Sequence, residues 1–394
     1  MSTLVSFTTS YIQQANWFLY KFKPTGLSDK LSIAVRIKSP VDIKTLETTL
    51  QALTERHAIL RSIYYEEDGQ IIQKIRENAE IYLAKIDALS WSDEELKGQL
   101  SQRAKLPFNL ENGSIFRACL FSRSATEYIL LLTVHQIAAD WESLLILVDD
   151  LVGIYESKIN CATPDLLPIN KSYRDYIHQE LDFINSAEGK QIGNYWQENL
   201  ADELPVLDLP TTSTRPSMRT YNGAAIKFTI KPQLTQQLKQ LAKTQGVTIE
   251  EIILAVFKVL LYRYTGEPDL LVGLLQKRAN QPLFEQVVGN FNNVTVARQA
   301  ISSNIKFTNL LNQVSKKLFE LGSYKNYPFS LLIQDLKSYN LSHPPICQVA
   351  FGYSKLEKLF NAKELDLDYY DLPQHKVDFE LSLEVTDLQK YSLG

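Results

Sequence analysis

The feature that most constrains the fold is a nearly continuous apolar run, Tyr128 to Val134, that is followed closely by a helical pattern. Leucine and β-branched residues dominate this run, which predicts a β-strand covered on both faces. After Ser143, apolar residues recur at helical spacing: Leu144, Leu147, Val148, Leu151 and Tyr155. The residues between the two patterns, His135 to Asp140, are therefore predicted to form a strand-to-helix turn.

Strand and helix patterns alternate along the first half of the chain. The predicted strands are Leu31–Ile37, Ser62–Tyr65, Gly69–Ile75 and Ile115–Ser122. Helical patterns begin at Ile43 and cover Trp91–Lys105. Such alternation is typical of layered α/β (α+β) structure.

A proline-marked stretch separates this half from a second one that is built in a similar way. Prolines 164, 168, 205, 210 and 216 flank a predicted helix, Tyr173–Leu200. The second half begins with a predicted strand, Ala224–Ile230, and a helix from Leu234 to Thr244. Thr248 and Glu251 form a capping box for the next helix. Its buried face is predicted to follow Ile252, Val256, Val259 and Arg263, and later strands are Leu270–Leu274 and Val294–Arg298. The two halves thus suggest two related lobes.

Composition indicates a chain with more than one hydrophobic core and no nucleic-acid or membrane partner. Its 394 residues are 45% hydrophobic and 22% charged, with a net charge of −4. There is no apolar segment of about 20 residues and no signal-peptide pattern at the start. Cys119, Cys161 and Cys347 are too few and too far apart for a disulfide framework or a zinc site. The sequence therefore predicts a soluble cytoplasmic protein with reduced thiols.

The turn from His135 to Asp140 is the candidate site of any chemistry. A general base must gain and lose a proton near neutral pH, which His does and Gln does not. If a reaction takes place at this turn, Gln136 occupies its most sensitive position.

These residues resemble the condensation domains of nonribosomal peptide synthetases. The family signature, His-His-x-x-x-Asp-Gly-x-Ser at a strand-to-helix turn, aligns with His135–Ser143. The first His, the Asp and the Ser are kept, whereas Gln136 replaces the second His and Trp141 replaces the Gly. Other stretches match family motifs in order: Ser10–Leu19, Arg56–Arg61, Pro107–Leu110, Tyr173–Tyr176, Tyr262–Gly266, Val288–Asn293, Tyr327–Phe329 and Gln348–Phe351. The resemblance covers nearly the whole chain.

The resemblance implies two chloramphenicol acetyltransferase-like lobes, residues 1–175 and 176–394, that form a V-shaped pseudo-dimer with a central tunnel. Asp378–Val385 resembles a late family strand that is normally followed by another strand and a closing helix. We therefore expect the second lobe to be truncated at its end, with an unpaired edge or apolar surface and poor solubility.

The same resemblance implies amide bond formation between a carrier-bound acyl or peptidyl thioester and a carrier-bound amine. Donor and acceptor peptidyl carrier proteins and the neighbouring synthetase domains are the implied partners. The domain itself holds no cofactor, because the phosphopantetheine arms belong to the carriers.

Family roles carry over to this chain residue by residue. Gln136 stands where the family has its catalytic His. His135 is either a buried, hydrogen-bonded His or part of the site. Neighbouring residues on a strand point to opposite faces, so if position 136 faces the tunnel, His135 faces inward. Asp140 is either catalytic or, as we favour, structural, through a helix N-terminal role or an ion pair with Arg278 of the other lobe.

Of three further residues, Trp141 and Asn293 each have two open interpretations, and Ser143 has a structural one. Trp141 either packs in the core or narrows the tunnel. Asn293 is either a strand-pairing residue or a wall of the tunnel. Ser143 most simply caps the helix that follows.

Two functions remain open after other classes are excluded. The five His residues show no metal-ligand spacing, and no Gly-rich phosphate loop is present. Position 139 is Ala, so the His-x-x-x-Asp site of related acyltransferases is absent. The chain is either a condensation enzyme whose activity is impaired or altered by Gln136, or a non-catalytic platform that docks carriers or recruits a tailoring enzyme.

Overall fold

A computed structural model describes residues 6–22, 29–211, 221–276, 282–336, 343–355, 360, 362–372 and 377–388. They form two compact units. The first comprises residues 1–182, 278–291 and 358–374, and the second comprises residues 183–277, 292–357 and 375–394. Two late segments thus return to the first unit. Arg278 lies outside the described residues, and the lobe boundary at 175/176 stays a prediction.

The strands in chain order are β1 (Ser6–Thr8), β2 (Lys30–Ile37), β3 (Ser62–Glu67), β4 (Gln70–Ile75), β5 (Leu83–Asp87), β6 (Phe116–Ser122), β7 (Tyr128–His135), β8 (Asp269–Gln276), β9 (Asn293–Ala300), β10 (Val349–Lys355), β11 (Leu367–Tyr370) and β12 (Leu381–Asp387). The α-helices are α1 (Tyr11–Phe22), α2 (Ile43–Arg56), α3 (Asp93–Ala104), α4 (Trp141–Ile159), α5 (Tyr173–Asn185), α6 (Ala187–Asn199), α7 (Pro232–Gln245), α8 (Ile249–Thr265), α9 (Phe307–Leu321) and α10 (Phe329–Asp335). This mixture confirms the predicted α/β (α+β) class.

In the first unit, β7 lies inside a sheet with the order β11-β2-β7-β6-β5. It pairs antiparallel with β2 on one side and with β6 on the other. Its alternate residues belong to two different hydrophobic cores: Leu130, Leu132 and Val134 pack in one, and Ile129 and Leu131 in the other. The prediction of a strand covered on both faces is therefore confirmed.

The larger of these cores is closed by the two helices that follow the central strands. Helix α2 comes after β2 and α4 comes after β7, and Leu50 and Leu147 are both fully buried in this core. A smaller sheet, β1-β4-β3, lies in the same unit. The turn between β7 and α4 is thus anchored at one end by a buried strand and at the other by a buried helix.

The second unit has a sheet with the order β12-β10-β8-β9. Strands β12, β10 and β8 run parallel, and β9 is antiparallel to β8. Its main core contains Leu254, Leu270, Leu310 and Val349. The predicted strands Leu270–Leu274 and Val294–Arg298 are confirmed as parts of β8 and β9.

The predicted strand Ala224–Ile230 is wrong. The segment belongs to no sheet of the described residues, and of its alternating apolar residues Ile230 alone is partly buried against the main core of the second unit. The side chain of Ile226 is 91% exposed and that of Phe228 is 66% exposed. Apolar residues of a strand pattern form a strand only when neighbouring strands and a core cover them.

The predicted buried face of α8 is also wrong in part. Ile252 is buried, but Val256 is 51% exposed, and the buried face instead includes Ala255 and Leu261. Helix α8 is apolar over most of its length, so its apolar residues do not define one stripe.

The same helix buries a cation, Lys258. Its Nζ donates a 2.7 Å hydrogen bond to Oε1 of Gln299. Burial, with a smaller effect of the Lys317 charge, lowers the pKa of Lys258 to about 7.

We expect Lys258→Met to raise the free energy of unfolding by about 1–4 kcal/mol at neutral pH, because a buried charge is replaced by an apolar chain of similar length. The unfolded chain keeps the Lys proton up to a pH of about 10.4, whereas the folded chain releases it near 7. The destabilisation by Lys258 is therefore complete below pH 7 and is relieved as the pH rises toward 10.

Urea unfolding between about pH 6 and pH 10 checks this prediction. The stability difference between Lys258→Met and the wild type is expected to shrink as the pH rises, and the exposed Lys239→Met is the control. A pH-independent difference for Lys258→Met contradicts the assignment.

Candidate functional site

The candidate site is the turn that joins β7 to α4. Strand β7 ends at His135, and the N–H of Ala138 donates to the carbonyl of His135 at 3.0 Å to close the turn. Helix α4 begins at Trp141, directly after its N-cap residue Asp140. The predicted strand-to-helix turn is therefore present.

His135 is fully buried beneath this turn. The rings of Tyr20 and Phe108 lie edge-on to the imidazole, with centroids 6.1 and 5.9 Å away. Its Nδ1 accepts the N–H of Ile137 at 3.1 Å, and its Nε2 lies 3.1 Å from Oδ2 of Asp29. Because Nδ1 accepts a hydrogen bond, the imidazole proton is on Nε2, where it is donated to Asp29.

Asp29 is the buried partner of His135, and the carboxylate is also paired with Lys30 at 2.7 Å. Burial by itself would raise the pKa of Asp29. The hydrogen bonds from His135 and Lys30, together with the positive charge of Lys30, outweigh burial and lower the pKa of Asp29 below its ordinary value. The carboxylate therefore stays ionised at neutral pH and orients the His135 ring.

Gln136 differs from its neighbours in solvent access. Among residues 129–140, Gln136 is partly exposed and all the others are buried. Its N–H donates to the carbonyl of Asp29 at 2.7 Å, and its own carbonyl accepts from Nδ2 of Asn290 at 2.8 Å. The side chain that replaces the expected His therefore extends from a backbone held on both sides.

Asp140 is held by the helix and by a returning segment of the chain. Its Oδ1 accepts the N–H of Ser143 at 2.8 Å, and its Oδ2 accepts the N–H of Phe291 at 3.1 Å. The sequence predicted Ser143 as the capping residue, but Ser143 is the N3 member of a capping box in which Asp140 is the N-cap. The Ser143 Oγ also accepts the N–H of Gly289 at 3.0 Å, and it lies 2.8 Å from the carbonyl oxygen of Gly289.

The returning segment Val287–Phe291 needs a glycine where it meets α5. A Cβ on Gly289 would lie 2.0 Å from Cδ2 of Tyr173, far inside van der Waals contact. Only a residue without a side chain allows the segment to approach the Asp140–Ser143 capping box this closely.

Trp141 and Asn293 lie in separate units. Trp141 is partly buried at the start of α4, and its ring is edge-on to that of Tyr369 in β11, with centroids 6.3 Å apart. Asn293 is the first residue of β9; its Nδ2 donates to the carbonyls of Lys325 and Tyr327 at 2.9 Å. Its Oδ1 accepts the N–H of Phe329 at 2.9 Å. Each residue thus has a packing or hydrogen-bonding role within its own unit.

Sequence reasoning gave no role to Asp29 or Asn290. Asn290 belongs to the stretch Val288–Asn293, which matches a family motif, and this match was the one sequence feature that could have indicated a role for it. Asp29 follows a segment outside the described residues and carries no recognisable spacing to His135. Only the antiparallel pairing of Lys30 with His135 across β2 and β7 brings it to the ring.

In the described part of the chain, no cluster of His, Cys, Asp or Glu has a geometry suited to a metal ion. Likewise, the described helices include none with the length and hydropathy required to span a membrane.

A family model described as the condensation domain matches residues 6–393 of the chain. The chain belongs to the condensation domain family. One of the linear gramicidin synthase proteins of Brevibacillus parabrevis is 30% identical over 386 residues, which is 96% of this chain and 5% of that protein. Polyketide synthase PksN of Bacillus subtilis (strain 168) is 28% identical over 381 residues, 95% of this chain and 7% of that protein. This condensation domain thus spans a small fraction of the curated relatives it matches.

Solved structures share the fold of this condensation domain. The X-domain from teicoplanin biosynthesis aligns with a TM-score of 0.87 at 24% identity, covering 98% of this chain and 86% of that one. The first condensation domain of the calcium-dependent antibiotic synthetase aligns with a TM-score of 0.81 at 16% identity, covering 99% and 90%. At these identities the likeness establishes the fold, which is the chloramphenicol acetyltransferase-like one predicted.

We expect His135→Ala to lower the free energy of unfolding by about 2–4 kcal/mol, because it leaves Asp29 and the Ile137 N–H without their buried partner and opens a cavity. Chemical denaturation measures the loss. The exposed His178→Ala is the matched control and is expected to change stability by less than about 0.5 kcal/mol. Equal effects of the two substitutions contradict a structural role for His135.

Proposed function

We propose that this chain catalyses amide bond formation between a carrier-bound acyl or peptidyl thioester and a carrier-bound amine. The observation that carries the proposal is the solvent access of Gln136, at the position of the family's catalytic His, beside an otherwise buried turn. Membership of the condensation domain family supplies the reaction class.

The reaction needs little from the protein beyond alignment of its substrates. The amine nitrogen attacks the thioester carbonyl, the C–N bond forms, and the C–S bond breaks to release the phosphopantetheine thiol. The nitrogen loses one proton, which passes to solvent or to the departing thiolate. Alignment of two bound reactants contributes about 7–11 kcal/mol to lowering such a barrier.

In this proposal Gln136 orients the amine and does not remove its proton. A side-chain amide donates and accepts hydrogen bonds but has no basicity near neutral pH. His135 does not substitute for the missing base, because its Nδ1 accepts from Ile137 and its Nε2 faces Asp29 inside the fold. The rate therefore depends on the fraction of amine that is already deprotonated.

The proposed partners are donor and acceptor peptidyl carrier proteins and neighbouring synthetase domains. The phosphopantetheine arms are parts of the carrier-bound substrates. We also propose a cytoplasmic location, which the free thiols of Cys119, Cys161 and Cys347 support.

We expect Gln136→Ala to lower the single-turnover rate of amide formation about two- to tenfold, the value of one hydrogen bond to the amine. Gln136→His is expected to raise the rate at least about tenfold, because a general base typically contributes 10²–10⁴. The measurement is rapid-quench detection of amide product from loaded donor and acceptor carriers.

Gln102→Ala, at an exposed position of α3, is the matched control and leaves the rate unchanged. A wild-type rate no higher than that of the carriers alone refutes the proposed reaction, and an unchanged rate in Gln136→Ala refutes the role of Gln136.

A second function is favoured by the absence of a base at Gln136 and by the buried position of His135. One structural neighbour is a complex of the X-domain and OxyB from teicoplanin biosynthesis, with a TM-score of 0.87 at 23% identity. In this second proposal, the chain is a platform that docks a carrier or recruits a tailoring enzyme without turnover.

For the platform, the expected result is tight carrier binding that does not depend on Gln136. Calorimetric titration with a holo-carrier bearing an amide-linked, unreactive acyl group should give the same Kd for the wild type and Gln136→Ala, with no product from thioester substrates. Gln136-dependent product, or no binding at about 100 μM carrier, excludes the platform.

A further inference from the structure

Three stretches that match family motifs, and that the proposed reaction does not use, meet beneath the Gln136 turn. They contribute Ser10 and Gln13 at the start of α1, Tyr173 at the start of α5, and Asn290 in the returning segment. Ser10, Gln13 and Asn290 are fully buried, and Tyr173 is nearly so. Buried polar groups are costly unless they are hydrogen-bonded, so the partners of these side chains are informative.

The amide of Gln13 is fixed in one orientation by a capping box. Its Oε1 accepts the N–H of Ser10 at 3.1 Å, and Ser10 Oγ accepts the N–H of Gln13 at 3.3 Å. The Nε2 group is thereby directed away from the helix. It lies within donating distance of three acceptors: the carbonyl oxygen of Ile137 at 3.1 Å, Oε1 of Gln73 at 3.0 Å and the Tyr64 hydroxyl at 3.2 Å.

Asn290 holds the preceding carbonyl of the same turn. Its side-chain Nδ2 donates to the carbonyl of Gln136 at 2.8 Å, and its backbone carbonyl accepts from the Tyr173 hydroxyl at 2.6 Å. That hydroxyl lies 3.0 Å from Oγ of Ser10. The two residues that hold the carbonyls of residues 136 and 137 are therefore linked through buried hydrogen bonds, by way of the Asn290 backbone carbonyl, the Tyr173 hydroxyl and Ser10.

We infer that Gln13 and Asn290 are positioning residues for Gln136. Together they fix two consecutive carbonyls, while the Asp29 carbonyl fixes the N–H of Gln136 at 2.7 Å. The backbone angles that set the direction of the Gln136 side chain are thus constrained on both sides. The inference rests on the proposed function, since the held side chain is the one assigned to orient the amine.

Pre-organisation of this kind acts on turnover and not on substrate capture. A residue held in its productive orientation loses no freedom at the moment of reaction, whereas a loosened one aligns the amine only part of the time. Loss of a positioning residue should therefore lower kcat and leave KM for the carriers nearly unchanged.

Two substitutions remove one donor each. Asn290→Ala removes the bond to the Gln136 carbonyl and keeps the backbone bond to Tyr173. Gln13→Glu keeps the acceptor for Ser10 and lacks the amide donor that reaches Ile137. The control is Gln348→Ala, because Gln348 is a buried amide in the second unit that bonds the backbone of Leu207 at 2.6 and 3.1 Å.

Two measurements are made on the full 394-residue chain: kcat and KM for amide formation, and hydrogen exchange of the backbone amides of residues 136–139. The expected result for Asn290→Ala and Gln13→Glu is a loss of kcat of about two- to tenfold that does not exceed the loss in Gln136→Ala, a KM within about twofold, and faster local exchange. Gln348→Ala should change neither the kcat nor the exchange at the turn.

Unchanged exchange at residues 136–139 overturns the inference. So does a loss of kcat no larger than that of Gln348→Ala, because it would then follow general destabilisation. If the wild type forms no product, the proposed reaction is refuted. The exchange measurement then decides by itself whether Gln13 and Asn290 hold the turn.

Discussion

The buried carboxylate of Asp140 is the constraint on which the rest of the site depends. One oxygen caps α4 through Ser143, and the other accepts the N–H of Phe291. A helix N-terminus leaves several N–H groups without intrahelical partners, so a carboxylate there is stabilised by both hydrogen bonding and the helix dipole. Because the same carboxylate binds the returning segment, Asn290 is placed against Gln136. The capping of one helix thus determines the geometry of the candidate site.

The chemistry of the turn follows from the alternation of strand residues. His135 is the last residue of β7, and its side chain enters the core, where Asp29 and the Ile137 N–H occupy its ring nitrogens. Gln136 follows and retains access to solvent. In this arrangement the residue with suitable basicity is buried, and the residue with access has none. A reaction at this turn must therefore depend on alignment more than on proton transfer.

The sequence predicted what depends on local pattern and missed what depends on long-range pairing. The run Tyr128–Val134 predicted β7 because an apolar strand covered on both faces has no polar alternation. Asp29 could not be predicted as the partner of His135, since 106 positions separate them and only sheet register unites them. The segment Ala224–Ile230 has a strand pattern, but it pairs with no sheet of the described residues and leaves Ile226 and Phe228 exposed, so the pattern was misleading. Ser143 was assigned to the right helix end, but the choice between it and Asp140 depended on geometry.

The most direct test of a structural His135 beside an accessible Gln136 is nitrogen-15 NMR of the His135 ring at neutral pH. The chemical shifts of the two ring nitrogens report which of them carries a proton. The account predicts a neutral ring protonated at Nε2, with Nδ1 as an acceptor from the Ile137 N–H. A ring protonated at Nδ1, or one that exchanges freely with solvent, would contradict it.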